Sequence, residues 1–220
     1  IETNVPRCVY LIDTGEDMNN VVTELLKNIF AAQNGDYITA VDEKSIVLIK
    51  SFEVGDSHED MMQVAHTITD MINTEVMINV RVGFGTMVQE LKNVSKSYKE
   101  ARMALDVGKI FYNENDINAY DTLGIGRLIY QLPVSLCKMF IEEIFGDHVP
   151  EELDEETLQT VNKFFENNLN VSETSRQLFL HRNTLVYRIE KLQKSIGLDI
   201  RVFDDALTLK IALMVVNYLN

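Results

Sequence analysis

The alternation of apolar and polar positions is most regular between residues 169 and 197, where it predicts two short helices joined by a tight turn. The second helix is expected from about Arg182, because four apolar residues after it are spaced four, three and four apart. These residues are Leu185, Ile189, Leu192 and Ile196. They form one stripe of a 3.6-residue helix, so one face of this helix is expected to be buried and the other exposed.

The helix before the turn is expected to begin at Ser172, a residue type that caps helix N-termini well. Ser175 and Leu178 then face inward. Turns between two such helices often contain Gly, whereas this chain has Phe179. Because a side chain disfavours positive φ, we expect the backbone at Phe179 to avoid the left-handed region.

The exposed face of the second helix is polar and basic. Its members are Arg182, Asn183, Tyr187, Arg188, Lys191 and Lys194. A helix fits the major groove of B-DNA, and its N-terminal residues reach the base edges. A helical hairpin with a solvated basic face accounts for the same pattern, so spacing alone leaves both interpretations open.

On the DNA-binding interpretation, each side chain has a chemical role. Arg182 suits guanine, Asn183 suits adenine, and Thr184 suits a thymine methyl or a phosphate. The side chains further along meet the sugar–phosphate backbone; they are Tyr187, Arg188, Lys191 and Lys194. The N-terminus of the first helix, with Ser172 and Thr174, is expected to lie against a phosphate.

The preceding residues predict strands and helices in the order β-α-β-β-α-β-α-β. The expected ranges are 5–14, 19–33, 37–41, 45–49, 56–73, 76–85, 95–111 and 117–120. This order favours an α+β fold, a mixed or antiparallel sheet with helices on one face. Helices are expected at 134–145, 154–168 and 202–220, the last buried because it is strongly apolar.

Two segments resemble known families. The run LHRNTLVYRIEKLQKSIGLDI resembles the C-terminal helix-turn-helix of PucR/CdaR-type bacterial transcription regulators, which control catabolic operons such as those for purines or sugar diacids. The resemblance adds His181 to the expected DNA-binding residues and places the recognition helix at about 182–194. The run RVGFG…SYKEARMALDVGK resembles the GGDEF-type nucleotidyl cyclase fold. Together they imply a degenerate GGDEF-like domain over 1–122, a helical connector over 123–150 and a helix-turn-helix domain over 151–220.

The hairpin at 41–45 is where the resemblance places the nucleotide and metal site, yet it lacks paired glycines. Backbone without such glycines does not approach a phosphate closely. The carboxylates in reach are Asp13 with Asp42 or Glu43, too few for two metal ions. We therefore expect no cofactor, no metal and no enzymatic activity. Gly83 and Gly85 are interpreted as a strand-end turn.

Composition and charge limit the remaining functions. The chain of 220 residues has 46% hydrophobic residues and no 18-residue apolar run, so we expect no membrane span. Cys8 and Cys137 are expected as buried thiols in a reducing cytoplasm. The formal net charge is −14, whereas residues 170–201 carry +3. A basic island on an acidic chain favours weak binding per subunit, and hence a homodimer or higher homo-oligomer on double-stranded DNA.

The chain starts at Ile1 without Met, from which we expect a longer protein whose N-terminal region carries a sensor. Two alternatives to a DNA-binding regulator stay open: a nucleotidyl cyclase-like enzyme, and a module whose C-terminal helices bind another protein.

Overall fold

The computed structural model describes residues 5–15, 18–30, 35–146 and 154–220. The chain divides into two compact units, 1–130 and 131–220. The expected connector, 123–150, is therefore shared between the units, and its last residues lie outside the described ranges.

The first unit contains a five-stranded mixed sheet. Its strands are β1 (Arg7–Asp13), β2 (Tyr37–Ala40), β3 (Ser45–Ser51), β4 (Arg81–Phe84) and β5 (Ile117–Ala119). The spatial order is β2-β3-β1-β4-β5; β4 and β5 pair in parallel, and the other neighbouring strands pair antiparallel. The α+β class is confirmed, and β1 is central because β3 and β4 flank it.

Helices cover both faces of this sheet, so the expectation of helices on one face was wrong. The helices are α1 (Asn19–Phe30), α2 (His58–Val76) and α3 (Val94–Phe111). Cys8, Tyr10 and Ile12 pack with α1 and α2, whereas Val9 and Leu11 pack with α3. The reason is visible in β1, whose run of five apolar residues is typical of a strand buried on both sides.

The strand expected over 76–85 begins later than its alternating pattern suggested, because α2 continues to Val76 and ends at Met77 in the left-handed region. The interpretation of Gly83 as part of a turn was also wrong, since Gly83 lies inside β4. A Cβ placed there would lie 2.5 Å from the carbonyl oxygen of Ala101 and 2.6 Å from the amide nitrogen of Leu105. Glycine at this position lets α3 pack closely on the sheet.

The first unit ends with α4 (Gly124–Tyr130). The second unit is helical, with α5 (Val134–Phe145), α6 (Glu155–Glu166), α7 (Val171–Gln177), α8 (Arg182–Ile196) and α9 (Phe203–Leu219). Its buried apolar residues include Cys137, Phe164, Leu185, Ile189, Leu192, Leu209 and Ala212. Cys8 in the first unit is buried too, as expected, and burial raises the pKa of its thiol to about 12.

Within the described ranges, no helix has the length and apolar character needed to cross a membrane.

Candidate nucleic-acid interface

The first helix of the pair, α7, is capped two residues earlier than expected. Asn170, not Ser172, is the N-cap: its side-chain oxygen accepts hydrogen bonds from the backbone N–H groups of Ser172 (3.0 Å) and Glu173 (3.1 Å). Asn and Ser cap helices equally well, so residue type alone did not decide between them. Ser172 is left exposed in the first turn of α7.

The turn after α7 is a Schellman motif. The N–H of Leu180 donates to the carbonyl of Ser175 (2.8 Å), and the N–H of Phe179 donates to the carbonyl of Arg176 (3.2 Å). Phe179 occupies the position that needs a left-handed backbone, with φ of 55°. The expectation that Phe179 avoids this region was therefore wrong, because the two hydrogen bonds fix the local geometry.

The N-terminus of α8 is capped by His181. Its Nδ1 accepts a hydrogen bond from the backbone N–H of Asn183 (3.3 Å), so this ring nitrogen is occupied within the chain. The start at Arg182 and the end at Gly197, which has a left-handed backbone, agree with the sequence pattern. The apolar stripe is confirmed: Leu185, Ile189 and Leu192 are buried and Ile196 is half-buried.

Seven of the ten proposed contact residues form an open surface on α8 and at its cap. The members are His181, Arg182, Asn183, Thr184, Tyr187, Lys191 and Lys194, all exposed. Tyr187 leaves 66% of its surface accessible. Within the part of the chain that the structure describes, Arg182, Lys191 and Lys194 form no ion pair. Three cations on this face are thus uncommitted.

Two of the proposed contacts are not open in this structure. Thr174 is fully buried, so its hydroxyl does not reach a phosphate outside. Arg188 extends along α8 toward α6, where one terminal nitrogen pairs with the Glu156 carboxylate and the other donates to the Thr160 hydroxyl (3.2 Å). The contacts of Arg188 do not follow from spacing within the two helices, because Thr160 and Glu156 lie 28 and 32 residues earlier in the chain.

The start of α6 brings acidic groups beside this basic face. Asp154 caps α6, and its carboxylate accepts a hydrogen bond from the Thr157 N–H (2.6 Å). Hydrogen bonding from the Thr157 side chain and then from its backbone lowers the pKa of Asp154, with further contributions from the charges of Lys191 and Arg188. A cleft between the two helices is lined by Asp154, Glu156, Thr157, Thr184, Tyr187, Arg188 and Lys191. Carboxylates there set one boundary of the surface open to an anionic ligand.

The other arginines of the basic island are neutralised within the chain. Arg176 forms a bidentate pair with Glu173, and its Nε and Nη2 donate at 3.1 and 2.6 Å. Arg201 pairs with Asp199 in the same way, at 2.8 and 2.9 Å. The net positive charge of residues 170–201 is thus concentrated on α8.

The β2–β3 hairpin was the alternative site, and its residues Asp42 and Glu43 line an open pocket together with Asp13 and Lys109. Asp13 pairs with Lys109 of α3. Partial burial acts to raise the pKa of Asp13, but the bonds from Lys109 and the Gly15 N–H outweigh it and lower the pKa. The pKa of Asp42 is lowered chiefly by the backbone N–H of Lys44. Among the described residues, no group of three or more His, Cys, Asp and Glu side chains is placed to hold a metal.

Comparison with known protein families finds one match within each unit. Residues 157–215 match the PucR C-terminal helix-turn-helix domain, and residues 1–107 match the GGDEF-like domain. The first match contains every exposed contact residue described above.

Curated relatives match both units together. The chain is 24% identical over 170 residues to the purine catabolism regulatory protein of Bacillus subtilis, covering 76% of this chain and 32% of that protein. It is 28% identical over 235 residues to the carbohydrate diacid regulator of Escherichia coli, covering 97% of this chain and 58% of that protein. It is 24% identical to the proline-responsive transcriptional activator PutR of B. subtilis, covering 94% of this chain and 53% of that protein. The chain therefore spans less than two thirds of these relatives.

Proposed function

The chain belongs to the PucR/CdaR type, a GGDEF-like domain joined to a PucR C-terminal helix-turn-helix domain, and on that premise we propose that it is a sequence-specific DNA-binding regulator of a catabolic operon. The relatives are named for regulation of purine catabolism, carbohydrate diacids and proline response. Because a chromosomal target requires it, we also propose a cytoplasmic location.

One observation carries this proposal: the first residues of α8 are exposed and uncommitted. Arg182 and Asn183 occupy the two positions after the cap, where a helix entering the major groove reaches base edges. A guanidinium forks onto guanine and an amide bridges adenine, so this pair can read two bases directly. Lys191 and Lys194 lie two to three turns further along, where the phosphate backbone passes.

The interface that we propose differs from the one expected from sequence in two residues. Thr174 supports α7 from inside the fold and makes no DNA contact. Arg188 reaches a phosphate only if it leaves Glu156. The proposed contacts are therefore Ser172, His181, Arg182, Asn183, Thr184, Tyr187, Lys191 and Lys194, with Arg188 as a conditional member.

A homodimer suits this small interface. Lys191 and Lys194 provide few phosphate contacts, and each phosphate contact adds to affinity through counterion release. Two copies on a two-fold axis read two half-sites about one helical turn apart, roughly 34 Å. We propose that the GGDEF-like unit acts in assembly or signal relay and catalyses no nucleotidyl transfer, since Lys109 engages the carboxylate of Asp13.

The experiment is selection of bound sequences from a random DNA pool with the whole chain, followed by footprinting of the enriched site. A two-fold symmetric sequence is expected. Arg182→Ala and Asn183→Ala should each lose preference at one base position in each half-site. If both variants bind the selected site as tightly as the parent, α8 is not the recognition helix. Turnover of GTP with Mg²⁺ by the parent chain would instead support an enzyme.

A further inference from the structure

Among the residues that the structure describes, Phe179 is the most exposed large apolar residue, with 97% of its surface accessible. It also has a positive φ of 55°, in the turn between α7 and α8. Left-handed backbone is unfavourable for a residue with a bulky side chain. An aromatic ring placed there gains no packing within the described residues of the chain that offsets this strain.

Two other helix ends in the same unit show that the chain uses suitable residues elsewhere. After α6, Asn168 holds the equivalent Schellman position, with φ of 52°, and its N–H donates to Phe165. After α8, Gly197 has φ of 77°. Asn and Gly are the residues that tolerate this conformation. Leu169, which follows Asn168, also has a positive φ of 61°, but its side chain is half-buried. Among the described residues of this unit, Phe179 therefore combines a bulky side chain, a positive φ and full exposure.

The location of Phe179 next to the start of α8 indicates which partner would cover its exposed ring. Two residues, Leu180 and His181, separate it from Arg182, so the Cα atoms of Phe179 and Arg182 lie within about 11 Å of each other. If Arg182 reaches a base edge, the ring of Phe179 lies beside the same stretch of duplex. Double-stranded DNA offers apolar surface there, namely the C5-methyl of thymine in the major groove and the deoxyribose at its edge.

We infer that Phe179 is a DNA-contacting residue whose ring packs on a thymine methyl or deoxyribose next to the base read by Arg182. The inference rests on the proposed function, and it adds an apolar contact that the polar face of α8 does not provide. The left-handed turn projects the ring outward, and the strain is offset when duplex DNA covers it.

The test replaces Phe179 by residues that suit the backbone. In Phe179→Gly and Phe179→Asn, the strain is relieved but the ring is lost, so both variants should melt about 4 °C higher by calorimetry. Both should bind the selected DNA site roughly tenfold more weakly, because one aromatic contact is missing. The slope of log affinity against log salt should be unchanged, since no phosphate contact is removed. Phe179→Tyr retains the ring and should bind within about twofold of the parent.

Met77 provides the matched control. It ends α2 in the first unit, with φ of 61° and 86% of its surface accessible. Met77→Gly should raise the melting temperature in the same way, with DNA affinity unchanged.

The outcomes separate the possible failures. Full DNA affinity in Phe179→Gly and Phe179→Asn, with Arg182→Ala still impaired, would overturn the inference and leave the proposed function standing. Absence of site-specific binding by the parent chain would overturn both. A third outcome is that the variants lose self-association, measured by ultracentrifugation without DNA, while their DNA affinity calculated per dimer equals that of the parent. In that case the ring contacts a second copy of the chain, and the inference is wrong.

Discussion

The guanidinium of Arg188, on the basic face of α8, is paired with the carboxylate of Glu156 at the start of α6. The same arginine also donates to the buried Thr160 hydroxyl, so the contact ties the two helices together. A phosphate arriving at α8 competes with this carboxylate for Arg188, and it is repelled by the carboxylate at the same time. We therefore expect the pair to influence both the stability of the unit and its affinity for DNA.

Removal of the Glu156 charge should strengthen DNA binding. In Glu156→Gln, Arg188 is released to a phosphate, so we expect affinity to rise about threefold and the salt slope to steepen by about one. The free energy of unfolding should fall by less than about 1 kcal/mol, because an exposed ion pair contributes little. Fluorescence anisotropy on the selected site at several salt concentrations measures both DNA effects.

Glu155→Gln is the control for this experiment. It removes the same charge from the adjacent position of α6, where the described residues form no ion pair with it. An equal gain in affinity from both variants would show that net charge, rather than release of Arg188, is responsible.

Arg182 and Lys191 should separate base recognition from phosphate attraction. Arg182→Ala should cost about 1–3 kcal/mol on the selected site and relax one base position. Lys191→Ala should weaken selected and random DNA alike and reduce the salt slope by about one. Competition titrations on the two DNAs at two salt concentrations distinguish the effects. Equal losses from Arg182→Ala on both DNAs would indicate that this arginine contacts only phosphate.

Thr174 and Thr160 form a second matched pair of tests. The Thr174 hydroxyl is buried and finds no hydrogen-bond partner among the described residues, whereas the Thr160 hydroxyl donates to the Glu156 carbonyl (2.8 Å). Thr174→Val should raise the free energy of unfolding by about 1 kcal/mol, since it removes an unpaired buried polar group. Thr160→Val should lower it by about 1 kcal/mol. Urea unfolding followed by circular dichroism measures both changes.

The same variants also address the DNA contact expected for Thr174 from sequence. Because its side chain is inside the fold, Thr174→Val should leave DNA affinity as in the parent. A tenfold loss in this variant, with stability retained, would restore Thr174 to the interface.

Sequence periodicity located α8 and its buried face correctly because both follow from neighbours three and four residues apart. Periodicity does not predict contacts between residues that are far apart in the sequence. Arg188 looked available because nothing within the hairpin opposes it, and its partner Glu156 lies 32 residues earlier. Helices were expected on one face of the sheet because the sequence pattern predicts the order of strands and helices along the chain, but the burial of each strand face was not considered. The uninterrupted apolar run of β1 was the available signal for two covered faces.

The geometry at Phe179 was misjudged for a different reason. Gly is the preferred residue in a left-handed turn, and the expectation assumed that the residue type at position 179 determines the sign of φ there. Here the hydrogen bonds of Leu180 and Phe179 to the end of α7 decide the backbone instead. Side-chain exposure of 97% has no signature in the local sequence, because Phe is equally consistent with a buried position.

The pair of Asp13 and Lys109 in the first unit predicts a pH dependence of stability. Lys109 keeps the pKa of Asp13 below its ordinary value of 3.8 despite partial burial. A carboxyl whose pKa is lower in the folded than in the unfolded state stabilises the fold above the unfolded pKa. This contribution is lost as the pH falls through the folded pKa, so the pair is fully effective at pH 7 and ineffective well below pH 3.8.

Lys109→Gln should therefore raise the pKa of Asp13, because burial is then opposed only by the Gly15 N–H and the charge of Arg81. The difference in unfolding free energy between parent and variant should be largest near pH 7 and shrink toward pH 3. Carboxyl NMR titration and urea unfolding at each pH measure the two quantities. Lys99→Gln removes an exposed charge from the same helix and should leave the pKa of Asp13 in place. An unchanged Asp13 pKa in Lys109→Gln would show that the ammonium does not hold this carboxylate in solution.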